Sequence, residues 1–522
     1  MEEREFNVTG VCVPNMHYMV DISNKMEQIK ALIDKRDYFT INRARQYGKT
    51  TTLHALKNML DDEYVIVSLT FEGLGEELEA PESFCQTFME IVQEALAFTK
   101  ASDDYINSWI DLNVKSFRQL SRHITKMCRE KKLVLMIDEV DKISNNRVFL
   151  DFLSMLRKKY LARNKNEDFT FHSVILAGVY DIKNLRWKIK ERSGDNTESS
   201  ENKIYNSPWN IATTFEVDMS FNPEEISTML TEYETDHQTG MNISEVARHI
   251  HFYTAGYPFL VSRICQHIHH KLDKNWSKDG IQNAIKIIVE EPSTLLEDLY
   301  NNVKSNQELS ILIDQLLLRG EKIPFNLGVS EISLGVMYGY FTKTVERGLV
   351  ISNKIFEMVL TEYFVVRNKL DNPDTKIPEF QEEIINDKQF NMQLALEKFF
   401  EHYPLVYNAK TAEFLEREGR LLFLTYLIPI LNGKGFYYIE SQTLSETRMD
   451  LVINYGGQEF ILELKKWKGQ ARHEDAYAQL SGYLDTRSLA TGYLLTFDFR
   501  QKKQPKAGWI KYEDKEIFDV IV

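Results

Sequence analysis

The chain has 522 residues, 43% of them apolar and 27% charged, and a formal net charge of −14. That length leaves room for about three domains with substantial cores, and the composition excludes a disordered or fibrous protein. The acidic balance excludes a uniformly basic nucleic-acid coat but allows a local basic groove.

Residues 11–35 begin with a Pro-containing turn and His17-Tyr18-Met19-Val20-Asp21. They continue into an amphipathic helix through Met26, Ile29, Leu32 and Ile33. The apolar run Tyr38-Phe39-Thr40-Ile41 then leads into Asn42-Arg43-Ala44-Arg45-Gln46-Tyr47-Gly48-Lys49-Thr50-Thr51 and the helical pattern Leu53-His54-Ala55-Leu56. This order predicts strand, phosphate loop and helix, because a helix N-terminus offers unpaired N–H groups and a positive dipole end to phosphate. In the pattern G-x-x-x-x-G-K-[ST], the second Gly admits phosphate close to backbone, the Lys reaches the outer phosphates and the hydroxyl ligates Mg²⁺. Gly48, Lys49 and Thr50 fill those places, with Thr51 beside them, while Arg43 stands where the first Gly would be.

Val65-Ile66-Val67-Ser68-Leu69 predicts a second strand, followed by a long helical region from Ser83 to about Lys131. Lys132-Leu133-Val134-Leu135-Met136-Ile137-Asp138-Glu139-Val140-Asp141 then predicts a strand buried on both faces and ending in acids. Asp138 is placed to hold Mg²⁺ and Glu139 to polarise the water that attacks ATP. A helix rich in Phe149, Phe152, Leu153 and Leu156 follows, then the strand Val174-Ile175-Leu176-Ala177-Gly178 and a fifth strand at Phe215-Glu216-Val217. Strands alternating with helices predict a mostly parallel sheet with ligands at its carboxyl ends. Between the last two strands, Glu191 to Asn206 reads as a polar loop. Arg186 and Arg192 flank it, either as surface charge or as a phosphate-facing arginine.

Ala44-Arg45-Gln46-Tyr47-Gly48-Lys49-Thr50, Ile137-Asp138-Glu139, Ser173 to Asp181 and Thr254-Ala255-Gly256-Tyr257-Pro258-Phe259-Leu260 resemble motifs of AAA-like ATPases related to the STAND and archaeal origin-recognition-like ATPases. The resemblance covers roughly the first 360 residues. It implies an ATP-driven conformational switch, with Tyr18 near the adenine or in the core. Residues 221–290 would form a helical lid, opened by Asn222-Pro223 and broken at Gly256-Tyr257-Pro258. Helices followed by two short apolar runs about a turn, Gly348 to Phe356, fit a winged helix.

After a linker with Pro373 and Pro378, the last part reads helix (409–431), strand (435–440), strand (447–455), strand (458–467), helix (472–487) and strand (491–499). Gly456-Gly457 is a two-residue hairpin turn. Tyr455 then faces Gln458, and counting outward sets Asp450 opposite Glu463 and Arg448 opposite Lys465. Facing carboxylates repel unless a cation or proton lies between them, and Mg²⁺ would relieve that strain. Cross-strand ion pairs, Arg448 with Glu463 or Asp450 with Lys465, are the alternative. Asp450, Glu463-Leu464-Lys465, Gln479 and Tyr483 resemble the PD-(D/E)XK nuclease signature, over about the last 120 residues. That resemblance implies metal ligation by Asp450 and Glu463, water activation at Lys465, and Gln479 and Tyr483 near the metal or substrate. An additional acid could come from Glu413, Glu416, Glu418 or Glu440. Lys465-Lys466-Trp467-Lys468 and Arg472 suit either a nucleic-acid backbone or a solvated strand end.

Together the halves resemble bacterial AAA-like ATPases with a C-terminal PD-(D/E)XK domain. The expected fold is α/β: a P-loop ATPase core with a parallel sheet (1–220), a helical lid (221–295), a winged-helix-like domain (296–370), a linker (371–404) and a restriction-endonuclease-like α/β domain (405–522). The expected function is an ATP-binding, ATP-hydrolysing switch coupled to a Mg²⁺-dependent nuclease, with Mn²⁺ as an alternative metal. Its partner would be nucleic acid, DNA foremost, and a second copy or another protein could engage the ATPase half. By analogy the setting is defence or mobile-element biology. The rival is a non-catalytic ATP-gated scaffold with an inactive nuclease fold. Cys12, Cys85, Cys128 and Cys265 have no C-x-x-C spacing and are expected as reduced thiols. The N-terminus lacks the apolar core of a signal peptide, and the longest apolar run, Leu421 to Leu431, is too short for a bilayer, so a cytoplasmic protein without a membrane span is expected.

Overall fold

Short apolar runs bounded by turns give four strands: β1 (Tyr38–Asn42), β2 (Val65–Thr70), β3 (Leu133–Asp138) and β4 (Ser173–Gly178). They pair in parallel in the order β1-β4-β3-β2. The computed structural model describes residues 4–143, 146–179, 187–188, 204–205, 208–318, 321–371, 381–386, 389–406, 416–431, 435–438, 451–500 and 504–522. It forms two compact units. The first is Met1–Ala247 with Gly256–Gln266 and Met337–Gly339, and the second is Arg248–Ala255 with His267–Val336 and Tyr340–Val522.

In the first unit every residue of β3 and β4 is buried, as befits strands covered on both faces. Successive side chains point to opposite faces of a sheet. Val134 and Met136 therefore join Phe39, Ile41 and Leu56 in one core, whereas Leu133, Leu135 and Ile137 join Phe84, Phe88 and Phe152 in another. The long helical region after β2 is divided into Pro81–Leu96, Asp103–Asn107 and Phe117–Glu130. A two-residue antiparallel ribbon joins β5 (Trp187–Lys188) to β6 (Ile204–Tyr205).

The fifth strand expected at 215–217 does not form. Only Thr213 makes an isolated parallel bridge, to Phe39. Phe215 stacks on Phe39 with ring centroids 5.8 Å apart, and the Val217 carbonyl accepts from the Arg43 guanidinium instead of from a strand ladder. As expected, Asn222 caps the helix Pro223–His237 through a capping box with Glu225. Gly256 separates the helices Ile243–Thr254 and Pro258–Lys271. Its φ is +73°, and a Cβ there would lie 1.9 Å from the Phe221 carbonyl oxygen, so only glycine fits.

In the second unit, β7 (Phe341–Lys343) pairs antiparallel with β8 (Leu349–Ile351). The second apolar run expected beside this turn, Ile355-Phe356, instead opens the helix Lys354–Asp371. A small ribbon of β9 (Ile385–Asn386) and β10 (Gln389–Phe390) follows. Inside the stretch expected as a linker, Met392–Val406 is a helix with Leu396, Phe399 and Tyr403 buried. The nearby prolines obscured that apolar stripe.

The last sheet contains β11 (Gly435–Tyr438), β12 (Leu451–Tyr455), β13 (Gln458–Lys466), β14 (Thr491–Phe497), β15 (Lys506–Tyr512) and β16 (Lys515–Ile521), in the order β11-β12-β13-β14-β16-β15. The helices Glu416–Leu431 and Gln470–Thr486 belong to the same region. Strands β15 and β16 complete the sheet beyond the expected elements. β13, β14 and β16 run parallel and the remaining pairings are antiparallel. Among the described residues no helix is long and apolar enough to cross a membrane.

Half-buried His172 lies against Tyr64 in the first unit, with ring centroids 4.8 Å apart. Burial, with Arg36, Lys132 and Arg163 adding to it, pushes its pKa down to about 4. An unfolded chain would protonate this histidine near pH 6.5. The fold therefore keeps it neutral, and its contribution to stability falls as the pH drops from about 6.5 towards 4. In urea unfolding, His172→Gln is expected to lose less stability than the parent between about pH 7 and pH 5.

Candidate functional site

The loop after β1 turns through Gln46 and Gly48, with φ of +56° and +74°, into the helix Lys49–Leu60. Arg43 is absent from the positive-φ positions, so the backbone does not need glycine there. Its guanidinium instead donates to the Asn42 and Val217 carbonyls at 2.7 and 2.5 Å and lies 5.2 Å from the Phe215 ring centroid. Burial pushes the Arg43 pKa down. The departure from the phosphate-loop pattern is thus a buttress for the loop.

Lys49 Nζ donates to the Arg43 and Ala44 carbonyls, both at 2.9 Å, which holds the ammonium inside the loop. Burial pushes its pKa down against the opposing pull of Asp141, Asp138 and Glu139. The Thr50 hydroxyl donates to Asp138 Oδ2 at 2.6 Å, and the Glu139 N–H donates to Asp138 Oδ1 at 2.9 Å. Lys49, Thr50, Asp138 and Glu139 are therefore brought together at one end of the parallel sheet. The Thr51 hydroxyl accepts the Cys12 N–H at 3.3 Å and tethers the lead-in segment, and Thr51 also lines the cavity beside the loop.

Asp141 is a further acid of this centre. Its Oδ1 accepts the Val179 N–H at 3.0 Å, and a Cβ at Gly178 would approach that oxygen to 2.5 Å. The signal for it lay in the third acid of the β3 motif.

Beside the loop is a cavity of about 360 Å³, walled mainly by apolar groups that include Tyr18, Val20, Tyr47, Phe221, Met229 and Phe259. Tyr18 serves both cavity and core: its hydroxyl donates to Asp236 at 2.9 Å, and its ring packs on Phe6 and Tyr233. The Tyr257 hydroxyl donates to the Arg45 carbonyl at 2.5 Å while its ring meets Tyr47 edge-on.

Residues 15–331 match the model of the AAA-like domain, which is well over half of the chain. The chain belongs to the AAA-like domain family. No curated protein matches this AAA-like chain. Among solved structures it is similar to a Walker-type ATPase of Pyrococcus abyssi, at 12% identity and a TM-score of 0.45, covering 68% of this chain and 99% of that one. It is also similar to the ORC2 protein of Aeropyrum pernix in ADPNP–ADP complexes, at 10% identity and a TM-score of 0.39, covering 69% and 98%.

Outside the matched region, the β12–β13 hairpin turns at Gly456 and Gly457, with φ of +56° and +79°. Tyr455 pairs with Gln458 and Leu451 with Leu462, the register expected from the turn. Asp450, one step beyond, lies outside the described residues, as do Arg448, Glu413, Glu440, Arg186 and Arg192. Glu416 and Glu418 lie on the helix Glu416–Leu431. Glu463 is fully buried, and Lys465 Nζ meets its Oε1 at 2.5 Å, an ion pair within one strand. Gln479 is half-buried and Tyr483 buried on the helix Gln470–Thr486. Among the described residues, no three His, Cys, Asp or Glu side chains gather as a metal site.

Sequence reasoning missed Asp519 on β16. It is fully buried, with His473 Nε2, the Tyr477 hydroxyl and Lys506 Nζ at 3.2, 2.9 and 3.2 Å from its Oδ2. Burial pushes its carboxyl up, but His473, Tyr477 and Lys506 outweigh that and hold it below the ordinary carboxylate range. A lone acid inside the apolar run Ile517-Phe518-Asp519-Val520-Ile521 was the available signal.

If Arg43 buttresses the loop, Arg43→Gly, which restores the usual residue, is expected to destabilise the protein by about 1–3 kcal/mol through the loss of buried charged hydrogen bonds. Chemical denaturation checks it.

Proposed function

We propose that the chain is an ATP-binding and ATP-hydrolysing switch that licenses a metal-dependent nuclease site in its C-terminal sheet. The ATPase half is carried by one observation: the Thr50 hydroxyl and Asp138 carboxylate meet at 2.6 Å beside Lys49 and Glu139. Membership of the AAA-like family supports the same reading.

In this reading Lys49 leaves its two loop carbonyls to pair with the outer phosphates. Thr50 and Asp138 hold Mg²⁺, and Glu139 orients the attacking water. The adjoining apolar cavity takes the base, with Tyr18 and Tyr47 in its wall. Bound Mg²⁺ would supply neutralisation of the phosphate charge. Glu139→Gln is expected to keep ATP affinity within about threefold of the parent and to lower turnover at least about a hundredfold, whereas Lys49→Ala weakens binding itself. Calorimetric titration and a phosphate-release assay separate the two effects, and an unchanged rate in Glu139→Gln removes Glu139 from the mechanism.

For the C-terminal half, the hairpin register supports a site in which Asp450 and Glu463 hold Mg²⁺ or Mn²⁺ and Lys465 orients a water. Gln479 is proposed to line the substrate side. The substrate class is nucleic acid, DNA foremost, and the setting in defence or mobile-element biology rests on resemblance alone. A second copy or another protein is the proposed partner of the ATPase half. Asp450→Ala and Glu463→Ala are each expected to abolish metal-dependent cleavage of labelled DNA while ATP affinity stays near that of the parent. Cleavage that survives both changes overturns the nuclease reading.

One observation favours a second reading, an ATP-gated scaffold that grips nucleic acid without cutting it. Glu463 is fully buried and already paired with Lys465, so metal binding there requires that ion pair to rearrange. Addition of Mn²⁺ distinguishes the two, because selective metal binding to the folded state raises thermal stability and a scaffold shows no such shift.

A further inference from the structure

We propose that Arg500 is a base-stacking platform for single-stranded nucleic acid at the carboxyl end of the C-terminal sheet. The proposal rests on reading this end of the sheet as a nucleic-acid site, and it adds the class of strand bound.

Arg500 lies three residues beyond β14, and Asp498 grips one edge of its guanidinium with both carboxylate oxygens. Nε donates to Oδ1 at 2.9 Å and Nη2 to Oδ2 at 2.7 Å, while the Arg500 N–H also donates to Oδ1 at 3.1 Å. The guanidinium carbon sits 4.8 Å from the Trp467 ring centroid, and Trp467 in turn packs on His473 at 5.1 Å. The cation is therefore propped by the Trp467 ring, which His473 backs in turn, while the Arg500 side chain remains 55% exposed. The Asp498 carboxylate is buried and the guanidinium half-exposed, so the pair satisfies a buried charge and at the same time fixes the cation at the surface. A planar cation held still with a face open is what an unstacked base packs against.

The surroundings suit a strand's backbone. Residues 466–472 contain Lys466, Lys468 and Arg472 and no carboxylate, next to Lys465, which pairs with Glu463, in a chain whose net charge is −14. Lys466 Nζ lies 5.6 Å from the Phe499 ring centroid, and Arg472 is only loosely paired, 3.8 Å from Asp475. Lys465 pairs in register with Thr496 and Lys466 with Phe497, so the cations and the platform share the ends of two parallel strands. In α/β sheets that end is where ligands bind. The bases of a duplex are covered by their neighbours and cannot use such a platform, whereas a single strand offers its base faces freely.

The test is fluorescence anisotropy with the full chain and labelled oligothymidine of about 20 nucleotides, in EDTA so that nothing is cut. A duplex of equal length is the comparison, and an oligouridine arm separates DNA from RNA. The parent is expected to bind the single strand at least about tenfold tighter than the duplex. Arg500→Lys keeps the charge and loses the plane, so it is expected to weaken single-strand binding about tenfold with an unchanged salt slope. The exposed change Lys468→Glu with Arg472→Glu weakens both substrates and lowers that slope by about two. Circular dichroism verifies that each variant is folded. Parent-like binding by Arg500→Lys, or a duplex bound as tightly as the single strand, overturns the proposal. A chain that grips single strands and never cuts them keeps it and overturns only the nuclease reading, while cleavage with Arg500→Lys fully active on single strands does the reverse.

Discussion

The hydrogen bond from Thr50 to Asp138 ties the first turn of the helix that follows β1 to the carboxyl end of β3, although β4 lies between β1 and β3 in the sheet. It can form because both strands run in the same direction and end at the same level of the sheet. The two cores that cover the sheet fix that level. Once it is fixed, the lysine of the following helix, the acids after β3 and the glycine at the end of β4 converge without further adjustment. The chemistry proposed for this half is a consequence of parallel pairing before it is a consequence of any one side chain.

Much of this was legible because it depends on local rules. Continuous burial in β3 and β4 was written in uninterrupted apolar runs, and the hairpin register followed from two glycines. The candidate phosphate-loop residues Gly48, Lys49 and Thr50 stood out as a partial pattern that gained weight from the acid-ended strand later in the chain. Arg43 was visible too, but only as a mismatch. Its partners, Val217 and Phe215, lie far along the chain, and nothing in a local pattern connects them. The same long-range contact explains why the segment at 215–217 reads as a strand yet forms no ladder.

The less legible parts were those where competing signals cancel. The helix Met392–Val406 has a clear apolar stripe, but it follows a stretch whose prolines and charges read as a connector. Strand β16 is a short apolar run interrupted by Asp519 and β15 is largely exposed, so only the pairing of β16 with β14, and of β15 with β16, makes them strands of this sheet. Asp519 was hidden for a related reason: its partners come from the helix Gln470–Thr486 and from β15, so no short motif contains the cluster. Glu463 stood out as a candidate, but its closure by Lys465 on the same strand depends on side-chain placement that no sequence pattern sets.

The hydrogen-only side chain at position 256 has a wider meaning. The Phe221 N–H donates to the Gly256 carbonyl at 2.8 Å, and Phe221 also forms part of the cavity wall. The shape of a chamber beside the phosphate loop is thus pinned by a backbone junction that tolerates no extra carbon. Change in this chamber's shape is expected to proceed through the bulk of its other wall residues, because the junction that sets one of its sides has no room to vary.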